Sequence, residues 1–154
     1  METINRVLQE TGMAPSLLEL EITETAAMRN MEVTATRLSM VNALGVKIAI
    51  DDFGIGYSSL SCLSSYPIHT LKISKSFVQG ITANPHVESI VKAIIVMAKN
   101  LKMNVIAEGV ETWEQLAFLK EHQCEEAQGP LFCKPELPAI VEKMLSQDTS
   151  FSRA

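Results

Sequence analysis

The adjacent carboxylates Asp51 and Asp52 are the residues of this chain whose types and spacing most directly indicate chemistry. They follow residues 46–50, an apolar run with the length and β-branched composition of a buried strand. Neighbouring acids at such a strand end repel each other and are costly to bury unless a cation compensates them. Two solvated acids in a turn would have the same sequence pattern. The pair therefore indicates a cation site only if other predicted strands also end in polar side chains.

Other strand-like segments also end in polar side chains. The chain alternates strand-like and helix-like stretches, which predicts an α/β fold with a parallel sheet covered by helices. In such folds the chemistry lies at the carboxyl ends of the strands. The predicted strand ends carry Glu21 with Glu24, Asp51 with Asp52, Lys72, Glu108 with Glu111, and Gln128. We therefore predict that these groups meet on one rim.

Hydrophobic periodicity and capping signals predict the elements that position this rim. The predicted strands are residues 17–23, 46–50, 70–73, 104–107 and 124–128. Four helices are predicted. Two of them span residues 31–44 and 138–146. A third begins at Asn84-Pro85, and a fourth begins with a capping box at residues 112–115 and ends near His122. Residues 58–65 are predicted to form a turn or short helix.

Composition limits the class of protein. The 154 residues suffice for one ordinary domain, and a net charge of -5 argues against binding to a nucleic-acid polymer. The three cysteines have neither metal-ligand spacing nor the even number of a disulfide framework. No apolar stretch approaches the length of a membrane span. We expect a soluble, cytoplasmic chain.

A rim of carboxylates without a cysteine cluster favours a hard cation, so Mg²⁺ or Mn²⁺ fits better than zinc. His69, His86 and His122 are predicted to lie off the rim. Two divalent ions held by acids are how phosphodiester hydrolases activate water and stabilise the leaving oxygen. Lys72 would then either orient the attacking water or simply pair with a neighbouring acid.

Five ordered segments carry a specific resemblance: LELEITE (18–24), AIDDFGIGYSSL (49–60), LKISKSFV (71–78), VIAEGVE (105–111) and QGPLFCKP (128–135). Together they resemble the EAL-domain family of cyclic di-GMP phosphodiesterases. The resemblance implies a TIM-like (β/α)8 barrel, of which about five parallel strands and their covering helices are visible in this sequence. It also implies two-metal hydrolysis of cyclic di-GMP to linear pGpG.

The resemblance assigns roles to the rim residues. Glu21 is similar to a metal ligand, Asp51 to the carboxylate that bridges both metals, and Asp52 to a ligand of the second metal. Lys72 resembles the lysine that contacts the attacking water. Glu108 resembles a glutamate that binds the second metal or acts as general base.

Three further residues follow from the same resemblance. Glu24 resembles the residue that anchors the glycine-containing loop after Asp52, a loop that in this family helps gate metal binding and dimer contacts. Glu111 and Gln128 resemble residues of the water and phosphate environment.

The chain also departs from the family pattern. It contains no Glu-Ala-Leu tripeptide and no counterpart of the family's asparagine ligand, so we expect one truncated EAL domain over residues 1–154 that lacks the amino-terminal strands. Ser74, Ile55 and Pro130 replace residues that are usual in the motifs. Because an open barrel exposes strand edges and part of an apolar interior, we expect a homo-oligomer or an upstream domain as partner.

Three interpretations follow from these observations. The first is a cyclic di-GMP phosphodiesterase with impaired activity. The second is an inactive remnant that binds cyclic di-GMP or a protein. The third is a receiver-like module, which is disfavoured because its aspartate pair would follow the first strand and its lysine the last, whereas here both are internal.

Overall fold

The computed structural model describes residues 2–56 and 60–146, so residues 57–59 of the predicted glycine loop lie outside the described part. Its centre is one sheet of five parallel strands in the order β1-β2-β3-β4-β5. The strands are β1 (Glu19–Thr23), β2 (Lys47–Phe53), β3 (Thr70–Ile73), β4 (Asn104–Glu108) and β5 (Glu126–Gln128). The predicted α/β fold with about five parallel strands is confirmed.

Helices connect the strands. They are α1 (Glu2–Thr11), α2 (Glu24–Met28), α3 (Met31–Ala43), α4 (Leu60–Ser65), α5 (Lys75–Gly80), α6 (Pro85–Asn100), α7 (Trp113–Glu121) and α8 (Pro138–Ser146), and a 3-10 turn spans Pro15–Leu17. Within residues 2–56 and 60–146, none of the helices combines the length and apolar character that a membrane span requires.

The capping signals place two helix starts correctly. The Asn84 side chain accepts a hydrogen bond from the backbone N–H of His86, and Pro85 occupies the first helical position. The Thr112 side chain and Gln115 form the reciprocal bonds of a capping box at the start of α7. The short helices α2 and α5 were not predicted, because each follows its strand directly and is too short to show periodicity.

The two faces of the sheet differ in chemistry. One face is apolar, and together with the helices it forms the core; its strand residues are Leu20, Ile22, Ile48, Ile50, Phe53, Leu71, Ile73, Val105, Ala107 and Ala127. Because successive side chains alternate along a strand, the other residues form the opposite face. That face carries Glu19, Glu21, Thr23, Lys47, Ala49, Asp51, Thr70, Lys72, Asn104, Ile106, Glu108, Glu126 and Gln128. The expectation that an open face exposes an apolar interior is therefore wrong for this sheet, because Ala49 and Ile106 are the apolar members of this set.

Candidate functional site

A β-bulge in β2 brings two acids to one end of the sheet. Ile50 pairs with Leu71 and Phe53 pairs with Ile73, so two β2 residues, Asp51 and Asp52, lie opposite a single β3 residue. Asp52 has a φ of 54°, a left-handed conformation that aspartate tolerates better than most residues. In a regular strand the two carboxylates would point to opposite faces. The bulge cancels that alternation and brings both acids toward the same rim.

Three carboxylates converge at this rim. Asp51, Asp52 and Glu108 each present an oxygen, and these oxygens lie within 4.8 Å of one another. Asp51 Oδ1 is buried and has no hydrogen-bond partner among the described residues. The Lys72 ammonium lies 3.5 Å away and offsets part of its charge without a hydrogen bond, so the oxygen remains available to ligate a metal ion. Because the donors are all oxygen, the cluster fits a hard divalent ion such as Mg²⁺, Mn²⁺ or Ca²⁺.

Lys72 provides the positive charge beside these acids. Its Nζ lies 2.7 Å from Glu108 Oε1, 2.6 Å from Glu21 Oε1 and 3.5 Å from Asp51 Oδ1. Burial opposes the charged amine, but the hydrogen bonds to Glu108 and Glu21 and the nearby negative charges outweigh it and raise the pKa of Lys72. Lys72 is therefore a permanent cation at neutral pH.

Glu108 is the acid most affected by its surroundings. Burial raises the pKa of its carboxyl group, and the charges of Asp51 and Glu21 act in the same direction. The hydrogen bond and charge of Lys72 oppose this effect without cancelling it. The site therefore holds like charges close together, with one lysine to offset them.

Glu24 is not one of the three clustered acids; it contacts the loop that follows β2. It is only 2% exposed, and its Oε2 accepts hydrogen bonds from the backbone N–H groups of Gly54 at 2.8 Å and Gly56 at 3.0 Å. A Cβ on Gly56 would lie 2.9 Å from Glu24 Cδ, so this close approach requires glycine. Ile55, between the two glycines, is exposed.

The remaining predicted residues have other partners. Glu111 Oε1 accepts hydrogen bonds from Lys75 Nζ at 2.8 Å and Gln79 Nε2 at 3.0 Å, and these bonds lower the pKa of Glu111. Gln128 ends β5 and lines a cavity of about 940 Å³ together with Glu108 and Lys75. The structure thus brings Glu21, Asp51, Asp52, Lys72 and Glu108 together, whereas Glu24 and Glu111 contact neighbouring segments.

The sequence did not indicate one polar neighbour of the cluster, Ser74. It did predict that the histidines lie outside the cluster. The Ser74 hydroxyl lies 3.2 Å from Asp52 Oδ1, whereas the sequence shows Ser74 only as a departure from the family motif. His69 Nδ1 accepts a hydrogen bond from the Ile48 N–H, near the start of β2 and β3 and thus at the opposite end of the sheet. A serine that directly follows a strand and precedes a helix is the signal that could have drawn attention to Ser74.

Comparison with known proteins agrees with this geometry. A family model described as the EAL domain matches residues 1–135. The chain is 45% identical over 145 residues to cyclic di-GMP phosphodiesterase NbdA of Pseudomonas aeruginosa. The aligned region covers 94% of this chain and 18% of NbdA. The structure of the PaMucR phosphodiesterase in complex with c-di-GMP superposes with a TM-score of 0.89 at 36% identity, covering 91% of this chain and 57% of that one.

A second solved structure bears on the cation. Klebsiella pneumoniae BlrP1, in a manganese and cyclic di-GMP complex, has a TM-score of 0.76 at 32% identity, covering 80% of this chain and 32% of that one. The chain thus spans only a part of the longer proteins that it matches. Because the family model matches most of the residues, the chain belongs to the EAL domain family.

Proposed function

We propose that this chain carries the divalent-cation half of a cyclic di-GMP phosphodiesterase site, with impaired turnover as an isolated polypeptide. The observation that carries the proposal is the convergence of Asp51, Asp52 and Glu108 within 4.8 Å, next to Lys72. The relatives named as cyclic di-GMP phosphodiesterases and the solved complexes with that nucleotide support the choice of substrate.

The cluster suits a cation bound through oxygen. Asp51, Asp52 and Glu108 would hold it, and Glu21, on the other side of Lys72, would contribute to a second position. When bound, a divalent ion of this kind activates water and stabilises the leaving oxygen of a phosphodiester. Mg²⁺ and Mn²⁺ accept the same oxygen ligands, so both ions fit this site.

Lys72 contributes chemistry of its own. Its raised pKa keeps the amine protonated, so it serves as a hydrogen-bond donor and not as a base. Glu21 and Glu108 hold the amine at 2.6 and 2.7 Å, whereas Asp51 Oδ1 lies farther away at 3.5 Å, which leaves one N–H donor without a short contact. We assign that donor to the attacking water or to a phosphate oxygen. We assign Gln128, which lines the adjoining cavity together with Glu108, to the environment of the same ligand.

Impaired turnover follows from the ligands that this sequence lacks. The family pattern includes a glutamate of the Glu-Ala-Leu motif and an asparagine, and neither has a counterpart here. Coordination number and geometry govern how well a divalent ion is bound and positioned. A homo-oligomeric partner or an upstream domain could supply the missing ligands. The second candidate function is a cyclic di-GMP-binding module without turnover.

The experiment combines turnover with binding. The purified chain is incubated with cyclic di-GMP and Mn²⁺ or Mg²⁺, and the nucleotides are separated by chromatography. Calorimetry measures binding of the nucleotide in the same buffers. Asp51→Asn is the matched variant, because it removes the charge of the central carboxylate at nearly constant volume.

Each outcome has one interpretation. Formation of pGpG that stops with EDTA and in Asp51→Asn supports the phosphodiesterase. Binding that depends on the metal but gives no pGpG supports the binding module. Absence of both metal-dependent turnover and metal-dependent binding, in protein shown to be folded by circular dichroism, overturns the proposal.

A further inference from the structure

Ser74 occupies a capping position without using its side chain as a cap. It directly follows β3 and precedes the first residue of α5, with β-like dihedral angles of −54° and 141°. Serine in this position usually accepts a hydrogen bond from a backbone N–H of the first turn. Its side chain makes no such bond here, although it is only 2% exposed. The buried hydroxyl is therefore committed to other partners.

Those partners form a chain of hydrogen bonds that ends on Asp52. Ser74 Oγ lies 3.2 Å from Asp52 Oδ1 and 3.3 Å from Ser76 Oγ. An ionised carboxylate only accepts, so Ser74 donates its single hydroxyl proton to Asp52. Ser76 must then donate to Ser74. Hydrogen bonds arranged in this order strengthen one another.

The contact with Ser74 is important for Asp52 because other features of the fold do not hold its side chain. The bulge and the left-handed φ of 54° take Asp52 out of the regular ladder, so strand pairing does not fix its side chain. The side chain is also exposed, so packing does not hold it. Within the described part of the chain, the hydroxyl of Ser74 is the donor that contacts this carboxylate.

The geometry points to Ser74 as a positioning residue that aims the Asp52 carboxylate at the cation shared with Asp51 and Glu108. This inference rests on the proposed function, because it concerns the same cation. Carboxylate ligands are commonly held by hydrogen bonds from residues behind them, and loss of such a partner weakens metal binding about 10- to 100-fold.

The test measures Mn²⁺ affinity directly, by titration with detection of free Mn²⁺ by electron paramagnetic resonance. Ser74→Ala should weaken binding about tenfold or more, and Ser74→Thr, which keeps the hydroxyl, should restore most of it. Thr70→Val is the matched control: it removes a similarly buried hydroxyl from the strand that precedes Ser74, one that contacts Glu19 at 2.7 Å and not the cluster. Any turnover lost in Ser74→Ala should return at high Mn²⁺ concentration.

The outcomes separate this inference from the proposed function. Unchanged Mn²⁺ affinity in Ser74→Ala, with tight binding in the wild type, overturns the role of Ser74 and leaves the cation site standing. An equal loss in Thr70→Val shows general destabilisation and also overturns it. If the wild type binds Mn²⁺ no better than Asp51→Asn, both the inference and the proposed site fail. Circular dichroism on every variant confirms that folded proteins are compared.

Discussion

Lys72 Nζ lies 2.6 Å from Glu21 Oε1, so a side chain of β3 reaches across β2 to a side chain of β1. The residue of β2 in register with Glu21 is Ala49, which is fully buried, has a side chain of one carbon and pairs with Thr70 of β3. The contact between Lys72 and Glu21 is therefore diagonal across β2. The small side chain of Ala49 keeps this part of β2 low beside the charge pair.

Replacing Lys72 with methionine should destabilise the chain. The Lys72→Met variant leaves Glu21, Asp51 and Glu108 without their shared cation, and breaking a buried ion pair typically costs ~3–5 kcal/mol. Because the partner acids are partly exposed, we expect a loss of about 2–3 kcal/mol in the free energy of unfolding. Urea denaturation with and without Mn²⁺ measures it. Added Mn²⁺ should stabilise the variant more than the wild type.

The control for this prediction is Lys75→Met, which breaks an exposed pair with Glu111 and should cost about 0–1 kcal/mol in the free energy of unfolding.

The raised pKa of Lys72 also determines how this contribution to stability depends on pH. The favourable interaction is fully present below the ordinary lysine value of 10.5 and is lost only as the pH rises through the higher folded value. Equal stability of Lys72→Met and the wild type at neutral pH would contradict the prediction.

Replacing Glu24 should loosen the loop after β2. In Glu24→Ala the N–H groups of Gly54 and Gly56 lose their acceptor, and an unsatisfied buried donor costs ~1–3 kcal/mol. We expect a loss of about 2 kcal/mol overall and faster hydrogen exchange at both glycine amides. Glu24→Gln retains an acceptor oxygen and should lose less. Glu142→Ala, an exposed glutamate on α8, is the control; slow exchange in Glu24→Ala would refute the anchoring role.

The two cysteines whose side chains are described should differ in reactivity. Burial raises the pKa of the Cys124 thiol to about 11, whereas Cys133 is exposed. The thiolate is the reactive form, so at pH 8 iodoacetamide should modify Cys133 and leave Cys124 intact. Modification of Cys124 should increase toward pH 11 or on unfolding in urea. Peptide mass spectrometry measures both sites, and rapid labelling of Cys124 at pH 8 would show that its burial is not maintained.

The sheet edges should make the isolated chain associate. In the described sheet β1 pairs only with β2 and β5 only with β4, and unpaired edges favour pairing between molecules. The open face carries Glu19, Glu21 and Glu126, whose repulsion is screened by salt. Light scattering should therefore show a mass that rises with protein concentration and with salt. A monodisperse monomer throughout would be inconsistent with this expectation.

Much of the architecture could be predicted because its causes are local. The apolar runs that become β2 and β3, and the capping residues Asn84 and Thr112, act within a few residues of their own position. Parallel strands also place their carboxyl ends together, so the prediction that Asp51, Lys72 and Glu108 meet needed only the order of the elements.

The details of the site depend on tertiary structure and could not be predicted in the same way. Nothing in residues 51–52 themselves specifies a bulge, since the left-handed conformation of Asp52 accompanies a register shift between β2 and β3 that depends on tertiary structure. The partners of Glu111 became clear only when α5 placed Lys75 beside it. Likewise, the departure from the family motif at Ser74 does not reveal that the serine hydroxyl bonds to Asp52 instead of capping its own helix.

In β2, two residues lie opposite one residue of β3, so the deletion of a single residue would change the acidic cluster without changing the fold. Loss of one residue at position 51 or 52 would return the strand to a regular ladder with Lys72 opposite one acid, and the apolar side chains of residues 48, 50 and 53 would still face the helices. A lineage could thus discard cation binding through one in-frame deletion and keep a folded scaffold. Alignments that close a one-residue gap at this point would conceal the change.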